Sequence, residues 1–164
     1  MATSPLGILL DLDDTLVLTK VIEYLRHRRE WQAARAAFGQ TSLPPGTREF
    51  VAGLSAMGHV GVVTSSPRPY AESLLRYHGL DLKVLVAYHD IAWRKPAPDA
   101  LLAGARQMGV PPSRCVSIGD RDLDDLAARA AGMGSILVDW GNGLPGACRT
   151  WAEVLEHLAA MRTQ

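Results

Sequence analysis

Five short apolar runs, each followed by a helical pattern, constrain the fold of this chain more than any other feature of its 164 residues. Each run has about the length of a strand that is buried on both faces of a sheet. Strands that alternate with helices form βα units and a parallel sheet, rather than an all-α or all-β domain. The sequence therefore predicts an α/β fold with a five-stranded parallel sheet. The predicted strands cover residues 7–12, 59–63, 83–86, 114–118 and 135–138.

Proline, glycine and capping residues indicate where the helices begin and end. Pro69 fits a first helical turn, and Gly79 can end the same helix in a left-handed conformation. Gly109 follows another helical pattern in the same way. Thr150 and Glu153 have the spacing of a capping box at the start of a last helix. The predicted helices cover residues 69–78, 99–108, 122–131 and 151–161.

Composition and charge narrow the classes of function. Hydrophobic residues make up 48% of the chain and charged residues 21%, which excludes intrinsic disorder. The net charge is zero, so charge gives no indication of a nucleic-acid or membrane partner. Cys115 and Cys148 lie far apart without metal-binding neighbours, which indicates free thiols in a reducing compartment. The 164 residues have the length of one domain, which we expect over residues 1–164. Because no signal-like or membrane-spanning run occurs, we expect a cytoplasmic protein.

Three acidic residues, Asp11, Asp13 and Asp14, follow the first predicted strand, and Thr15 comes next. Ligand sites in parallel α/β sheets lie at the carboxyl ends of the strands, which is where this cluster falls. Carboxylates so close together raise one another's pKa, and a divalent cation is the simplest way to relieve the repulsion. Taken alone, Asp13-Asp14-Thr15 is more typical of a solvated turn or a helix N-cap.

The second predicted strand ends in a run of hydroxyl side chains, Thr64-Ser65-Ser66. Hydroxyl groups and backbone N–H groups before a helix can bind a phosphate through hydrogen bonds and the helix N-terminus. Taken alone, this run is an ordinary N-cap.

Two other strand ends add charged groups to the same edge of the sheet. The fourth strand ends in Gly119-Asp120, and Asp124 follows four residues later. Lys95 precedes a proline after the third strand. A lone lysine is ordinarily solvated, but here it has acids to balance.

Together these residues resemble the haloacid dehalogenase superfamily of phosphatases and phosphotransferases. That family has an Asp-x-Asp-x-Thr motif after an apolar strand, then a Thr or Ser closing another strand, then a lysine commonly followed by proline. Its fourth motif, Gly-Asp-x-x-x-Asp, leads into an alanine-rich helix that ends Ala-Gly-Met. All four motifs occur here in order between about residue 6 and about residue 143, which is far more specific than any one alone. The matching residues are Asp11, Asp13 and Thr15, then Thr64, then Lys95-Pro96, then Gly119, Asp120 and Asp124, with Ala131-Gly132-Met133 ending the helix.

The resemblance implies a Rossmann-like three-layer sandwich and a phosphatase that works through an aspartyl-phosphate. By resemblance, Asp11 is the nucleophile, and Asp13 protonates the leaving oxygen and then activates the hydrolytic water. The dehalogenases lack the second aspartate, so Asp13 favours phosphoryl chemistry. Thr64 and Ser65 are the expected phosphate-binding residues, and Lys95 would offset the charge of nucleophile and phosphate.

The resemblance also implies Mg²⁺ as the cofactor, bound by an Asp11 oxygen, the main-chain carbonyl of Asp13 and Asp120. Asp124 would steady these ligands through Lys95 or a metal-bound water. Three further acids are interpreted as turn or helix caps: Asp14, Asp122 and Asp125.

Family members usually carry a sizeable cap over the site, and this chain has room for little of one. Between the second and third motifs only one helix and one short strand fit. Residues 18–41, called the insert below, look helical and can form only a minimal lid. The resulting open site suits a bulky or macromolecular phosphorylated substrate, or cover by a second subunit. The buried positions predicted within the insert are Val21, Leu25, Trp31 and Phe38.

Some side chains near the predicted site have two interpretations. The basic run with Arg26, Arg28 and Arg29 either contacts substrate phosphate or forms a solvated helix face, and we favour the solvated face. Arg68 either contacts substrate or lies on the surface. Trp140 either lines the site or packs under the last helix.

Three alternatives to a phosphatase remain. A phosphotransferase of the same superfamily would pass the phosphoryl group to an acceptor other than water, and no residue decides between the two. A receiver-like phosphorylated signalling module has similar strand-end acids, but its phosphorylated aspartate lies on a middle strand and no Gly-Asp-x-x-x-Asp motif follows its lysine. The intact acids, Thr64 and Lys95 disfavour a catalytically silent binding module.

Overall fold

The computed structural model describes residues 6–162. Its strands are β1 (Leu6–Leu10), β2 (Gly58–Val63), β3 (Val84–Val86), β4 (Cys115–Gly119) and β5 (Gly134–Leu137). Its helices are α1 (Glu23–His27), α2 (Trp31–Ala36), α3 (Thr47–Met57), α4 (Arg68–Tyr77), α5 (Asp99–Met108), α6 (Asp122–Ala130) and α7 (Trp151–Arg162). Short 3-10 turns lie at Lys20–Ile22, Phe38–Gln40 and Pro112–Arg114. Within this part of the chain the strands form one parallel sheet in the order β3-β2-β1-β4-β5, which confirms the predicted α/β fold.

Strand β1 is the centre of the sheet. Ile8 pairs with Val60 of β2 on one side and with Val116 of β4 on the other. All residues of β1 are buried, as expected for a strand covered on both faces. The carboxyl end of β1 therefore lies between those of β2 and β4, where it can combine side chains from all three strands.

Side chains of β1 alternate between two cores on opposite faces of the sheet. Ile8 and Leu10 belong to a core shared with α3, α4 and α7. Leu9 points the other way, into a core shared with α5 and α6. The sheet is thus the middle of three layers, and the Rossmann-like sandwich implied by the resemblance is confirmed.

The observed helix ends agree closely with the predicted helix boundaries and caps. Helix α5 has the predicted bounds, and Gly109 follows it at φ +68°, a left-handed conformation that favours glycine. At the start of α7, the N–H of Glu153 donates to Thr150 Oγ1 at 3.2 Å. The Glu153 carboxylate accepts the N–H of Arg149 at 2.6 Å, so the second bond of the predicted capping box is displaced by one residue.

The insert is helical only in short pieces, because α1 and α2 have five and six residues. Leu25 and Phe38 are buried as predicted, and Trp31 is half-buried against the same core. The prediction for Val21 is wrong, since this side chain is 50% exposed. It lies in a 3-10 turn whose neighbouring residue, Ile22, takes the buried position.

Two further expectations concern cysteines and membranes. Cys115 and Cys148 are buried and free, as predicted. Among residues 6–162, every helix is too short or too polar to cross a membrane.

Candidate active site

The ends of the strands fix the backbone of the predicted site residues. The N–H of Asp11, just after β1, donates to the carbonyl of Ile118 in β4 at 2.9 Å. The N–H of Thr64, just after β2, donates to the carbonyl of Val86 in β3 at 2.9 Å. These bonds continue the strand pairing by one residue. Asp11 and Thr64 are therefore held rigidly at the carboxyl edge of the sheet.

Lys95 connects two of the acidic side chains. Its Nζ donates to Asp11 Oδ1 at 3.0 Å and to Asp124 Oδ1 at 2.5 Å. All three side chains are almost completely buried, with exposed fractions of 5%, 7% and 2% for Lys95, Asp11 and Asp124. Burial alone would lower the pKa of Lys95, but the two carboxylates outweigh burial and raise it. The lysine is therefore a fixed positive charge beside Asp11.

The second oxygen of Asp124 is also occupied, because Oδ2 accepts the N–H of Arg121 at 3.0 Å at the start of α6. The carboxylate is so close to the end of β4 that a Cβ at Gly119 would collide with it. The glycine of the fourth motif therefore makes room for the acid that follows it.

Three carboxylates converge beside this lysine. Asp11, Asp120 and Asp124 each offer an oxygen within 4.8 Å of the others. Asp120 Oδ1 also accepts a hydrogen bond from Thr15 Oγ1 at 3.0 Å. Burial, followed by repulsion from Asp11 and Asp124, raises the pKa of Asp120 to about 7. One lysine does not balance three acids, and an all-oxygen cluster is the kind of site that a hard divalent cation prefers.

Asp13 has a different set of neighbours, in which three hydroxyl groups donate hydrogen bonds to its carboxylate. Asp13 Oδ1 accepts from Thr19 Oγ1 at 2.9 Å and from the Tyr70 hydroxyl at 2.8 Å. Asp13 Oδ2 accepts from Ser66 Oγ at 2.7 Å. Burial, together with the Asp13 charge, raises the pKa of Tyr70 far above its usual value, so its hydroxyl stays a donor.

Arg26 lies in the site rather than in solvent. Its side chain is 13% exposed, its Nε lies 3.5 Å from Asp13 Oδ1, and its Nη2 lies 3.5 Å from Asp14 Oδ2. The favoured interpretation of the basic run as a solvated face is therefore wrong for Arg26, because the two aspartates attract the guanidinium inward. Arg28 and Arg29 are exposed. The solvated face is therefore confirmed for Arg28, whereas Arg29 also lines the cavity described below.

Three further acids, Asp14, Asp122 and Asp125, are predicted to cap turns or helices. Asp14 Oδ1 accepts the N–H groups of Thr19 and Lys20 at 2.9 Å each, which is the predicted role of a turn cap. Asp122 lies in the first turn of α6. Asp125 accepts a hydrogen bond from Arg129 one turn further on at 2.8 Å, so it forms a surface ion pair rather than a cap.

A cavity of about 530 Å³ opens over the carboxylates of Asp11, Asp13 and Asp120. Thr64 and the exposed Ser65 lie on its wall, and the insert forms another wall with Arg26 and Trp31. The rest of its lining includes several basic or neutral polar side chains: Lys20, His27, Arg29, His89, Arg121 and Asn142.

Two side chains with open interpretations are now placed. Trp140 donates from Nε1 to the carbonyl of Thr15 at 3.0 Å and packs on Trp151 with 4.6 Å between ring centroids. It therefore packs under the last helix. Arg68 donates to Asp90 at 2.6 Å and to Glu72 at 3.3 Å, on the surface beside β3.

Sequence reasoning missed three side chains of this site: Thr19, Ser66 and Tyr70. Ser66 belongs to the hydroxyl run that follows β2, so the sequence indicates its presence near the site but not its contact with Asp13. Thr19 and Tyr70 belong to no motif, and nothing in the local sequence pattern indicates their contact with Asp13.

The fold and the site define a three-layer α/β protein with a lysine-linked acidic cluster at the carboxyl edge of its sheet. A family model described as haloacid dehalogenase-like hydrolase matches residues 25–132, which is more than half of the chain. The chain belongs to this family, and the resemblance inferred from the motifs is confirmed.

Two curated relatives support the same family assignment. The phosphoglycolate phosphatase of Xylella fastidiosa (strain Temecula1 / ATCC 700964) is 36% identical over 135 residues, which are 80% of this chain and 56% of that protein. The phosphoglycolate phosphatase of Xanthomonas campestris pv. campestris (strain 8004) is 42% identical over 83 residues, which are 49% of this chain and 38% of that protein. The chain thus spans about half the length, or less, of these curated relatives.

Solved structures show the same fold at low sequence identity. The crystal structure of a hydrolase from Pseudomonas syringae aligns with a TM-score of 0.80 at 22% identity. The alignment covers 95% of this chain and 98% of that chain.

Proposed function

We propose that this protein is a magnesium-dependent phosphatase that hydrolyses phosphate monoesters through an aspartyl-phosphate on Asp11. The observation that carries this proposal is the pair of contacts from Lys95 to Asp11 and Asp124, beside the cavity that Asp11 lines. A buried lysine beside a buried carboxylate neutralises charge where a phosphoryl group has to approach a negatively charged nucleophile.

The first step transfers the phosphoryl group to the enzyme. The Asp11 carboxylate attacks phosphorus, the ester bond breaks, and Asp13 gives a proton to the leaving oxygen. Thr64 and Ser65 donate hydrogen bonds to the phosphoryl oxygens, and Lys95 offsets their charge.

The second step releases phosphate. Asp13, now ionised, takes a proton from water, and that water attacks phosphorus and frees the Asp11 carboxylate. The first step of a phosphotransferase is identical, so the acceptor in the second step separates the two activities.

The acidic cluster fits Mg²⁺ by its donor chemistry. Both oxygens of Asp124 already have partners in Lys95 and the Arg121 N–H, which leaves Asp11 and Asp120 as the carboxylates free to bind the ion. The main-chain carbonyl of Asp13 is the third proposed ligand. When bound, the metal would supply positive charge that offsets the negative charge on the oxygens of the transferred phosphoryl group.

A small phosphorylated molecule is the proposed substrate. The cavity lies in the size range of ordinary small-ligand sites. Basic side chains such as Arg26 and Arg121 lie among the acidic ones of its lining and can bind an anionic ester, and the relatives named phosphoglycolate phosphatase point in the same direction. A bulky substrate or a covering subunit stays a prediction from the short insert.

The proposed function is tested with the purified protein and p-nitrophenyl phosphate. We expect release of inorganic phosphate into water, loss of activity after exhaustive chelation, and recovery when Mg²⁺ is added. Full activity after chelation would contradict the metal requirement. Transfer only to an added alcohol, with no free phosphate, would indicate a phosphotransferase.

A panel of esters then tests the size of the substrate. Phosphoglycolate and other small phosphorylated metabolites are compared with phosphopeptides and nucleotides at equal concentration. We expect the highest kcat/KM among the small anionic esters. Preference for phosphopeptides would support the bulky alternative, and no hydrolysis of any ester would contradict phosphatase activity.

A further inference from the structure

The carboxylate of Asp13 is oriented by hydroxyl groups from three separate segments. Thr19 precedes the first 3-10 turn of the insert, Ser66 follows β2, and Tyr70 lies in α4. Both carboxylate oxygens accept at least one of these bonds, at 2.7–2.9 Å. A carboxylate held at both oxygens cannot rotate freely about its side-chain bonds.

Tyr70 is in turn fixed by the insert. Its side chain is almost fully buried, with 1% of its surface exposed. Its ring contacts Trp31 with 5.3 Å between centroids and packs on Phe38 in a T-shaped pair with 5.5 Å between centroids. Both partners belong to the insert, so the insert holds the Tyr70 hydroxyl against Asp13.

We propose that Tyr70 is a positioning residue for proton transfer by Asp13, and that the insert acts on catalysis through this tyrosine. The inference rests on the proposed function, because it assumes that Asp13 is the general acid and base. Proton transfer requires the carboxyl group within hydrogen-bonding reach of the leaving oxygen and in the correct orientation. Small displacements of such a group lower the rate without preventing substrate binding.

The simpler alternative is that the hydroxyls only satisfy a partly buried carboxylate. In that case, removing the Tyr70 hydroxyl lowers stability but does not change how the rate depends on the leaving group. A positioning role changes that dependence, since poor leaving groups need protonation and good leaving groups need little.

The test is Tyr70→Phe, which keeps the ring and removes only the hydroxyl. kcat/KM is measured for aryl and alkyl phosphates whose leaving groups increase in pKa, because this parameter reports the first phosphoryl transfer. We expect a loss of about 10- to 100-fold for alkyl phosphates and less than about 3-fold for p-nitrophenyl phosphate. The slope against leaving-group pKa becomes steeper.

Tyr77→Phe is the matched control. Tyr77 lies in the same helix and also contacts Phe38, at 5.8 Å between centroids, but it is 56% exposed. We expect an unchanged slope and a rate within about 2-fold of the parent, as for an ordinary surface substitution. An equal slope in Tyr70→Phe and Tyr77→Phe would overturn the positioning role.

Phe38→Leu provides a second test if Tyr70→Phe does not fold. It loosens the Tyr70 ring but leaves the hydroxyl, and Phe38 does not belong to the lining of the active-site cavity described above. We expect the slope to steepen in the same direction, by less than in Tyr70→Phe. An unchanged slope in a folded Phe38→Leu protein would contradict the role of the insert.

Asp13→Asn, measured in the same series, separates the two levels of inference. If the parent is active and Asp13→Asn does not change the slope, the proposed role of Asp13 fails and that of Tyr70 fails with it. If Asp13→Asn steepens the slope and Tyr70→Phe does not, only the positioning role is wrong.

Discussion

Two aspartates that lie two residues apart in the sequence have very different surroundings. Asp11 faces charged groups, namely Lys95 and the carboxylates of Asp120 and Asp124. Asp13 faces three hydroxyl groups, with Arg26 at 3.5 Å. A nearby cation suits a carboxylate that has to receive a phosphoryl group, because it offsets the negative charge of both groups. Hydroxyl donors suit a carboxyl group that has to transfer protons, because they fix the orientation of its oxygens.

The difference follows from the order of the strands. Asp120 and Asp124 come from the β4 side of β1, where α6 begins. Ser66 and Tyr70 come from the β2 side, where α4 begins, and the insert packs on that side. The central position of β1 therefore allows one short motif to face two chemically distinct neighbourhoods.

The largest effect is expected from Asp13→Asn. The substitution preserves shape and leaves the main-chain carbonyl in place, so we expect the fold and Mg²⁺ binding to persist. Loss of general acid–base assistance should lower kcat by about a hundredfold to ten-thousandfold. Steady-state hydrolysis of phenyl phosphate measures this loss, and isothermal titration measures Mg²⁺ binding. Asp125→Asn, on the surface of α6, serves as the control, and equal rates for both variants would remove Asp13 from the mechanism.

Removal of the Lys95 charge should lower stability as well as rate. Lys95→Met removes the cation but not the buried carboxylates of Asp11 and Asp124. Removal of one partner from such a buried cluster is expected to lower the free energy of unfolding by about 3–5 kcal/mol. Urea denaturation without metal measures the loss, and Lys83→Met, at an exposed lysine, is the control. A loss below about 1 kcal/mol would show that the cluster is solvated like a surface ion pair.

The carboxylates near Asp11 also make the stability of the metal-free protein depend on pH. The pKa of Asp120 is raised to about 7, so the folded state retains a proton that the unfolded chain releases near its usual value of 3.8. The contribution of this group to stability is fully present below that value and is lost as the pH rises through about 7. With a chelator present, we expect this group to make the Tm fall between about pH 4 and about pH 7 and to have no further effect above that range.

Asp120→Asn is the control for this pH effect. The asparagine cannot titrate, so the Tm of that variant should fall less over the same range. An equal fall in both proteins would assign the effect to other groups.

Much of the site could be predicted because its residues stand next to apolar runs. Asp11, Thr64 and Asp120 each follow a strand within a residue or two, and a parallel sheet places such positions on one edge. The fold class and the strand positions follow from the same periodicity.

The side chains that surround Asp13 could not be predicted in this way. Ser66 and Tyr70 are 53 and 57 residues from Asp13 in the sequence, and only the pairing of β1 with β2 brings them close. The charge pattern around Arg26 is that of a surface helix, which favours a solvated face. Its burial depends on two aspartates from another segment, which a local pattern does not show.

Transfer of the phosphoryl group to Asp11 is tested most directly with a ³²P-labelled substrate. The protein and Mg²⁺ are mixed with the substrate, the reaction is quenched in acid within one turnover, and the labelled peptide is mapped. We expect acid-stable, base-labile label on the peptide that contains Asp11, and no label in Asp11→Asn. Turnover without labelled protein, or label that persists in Asp11→Asn, would contradict the assignment.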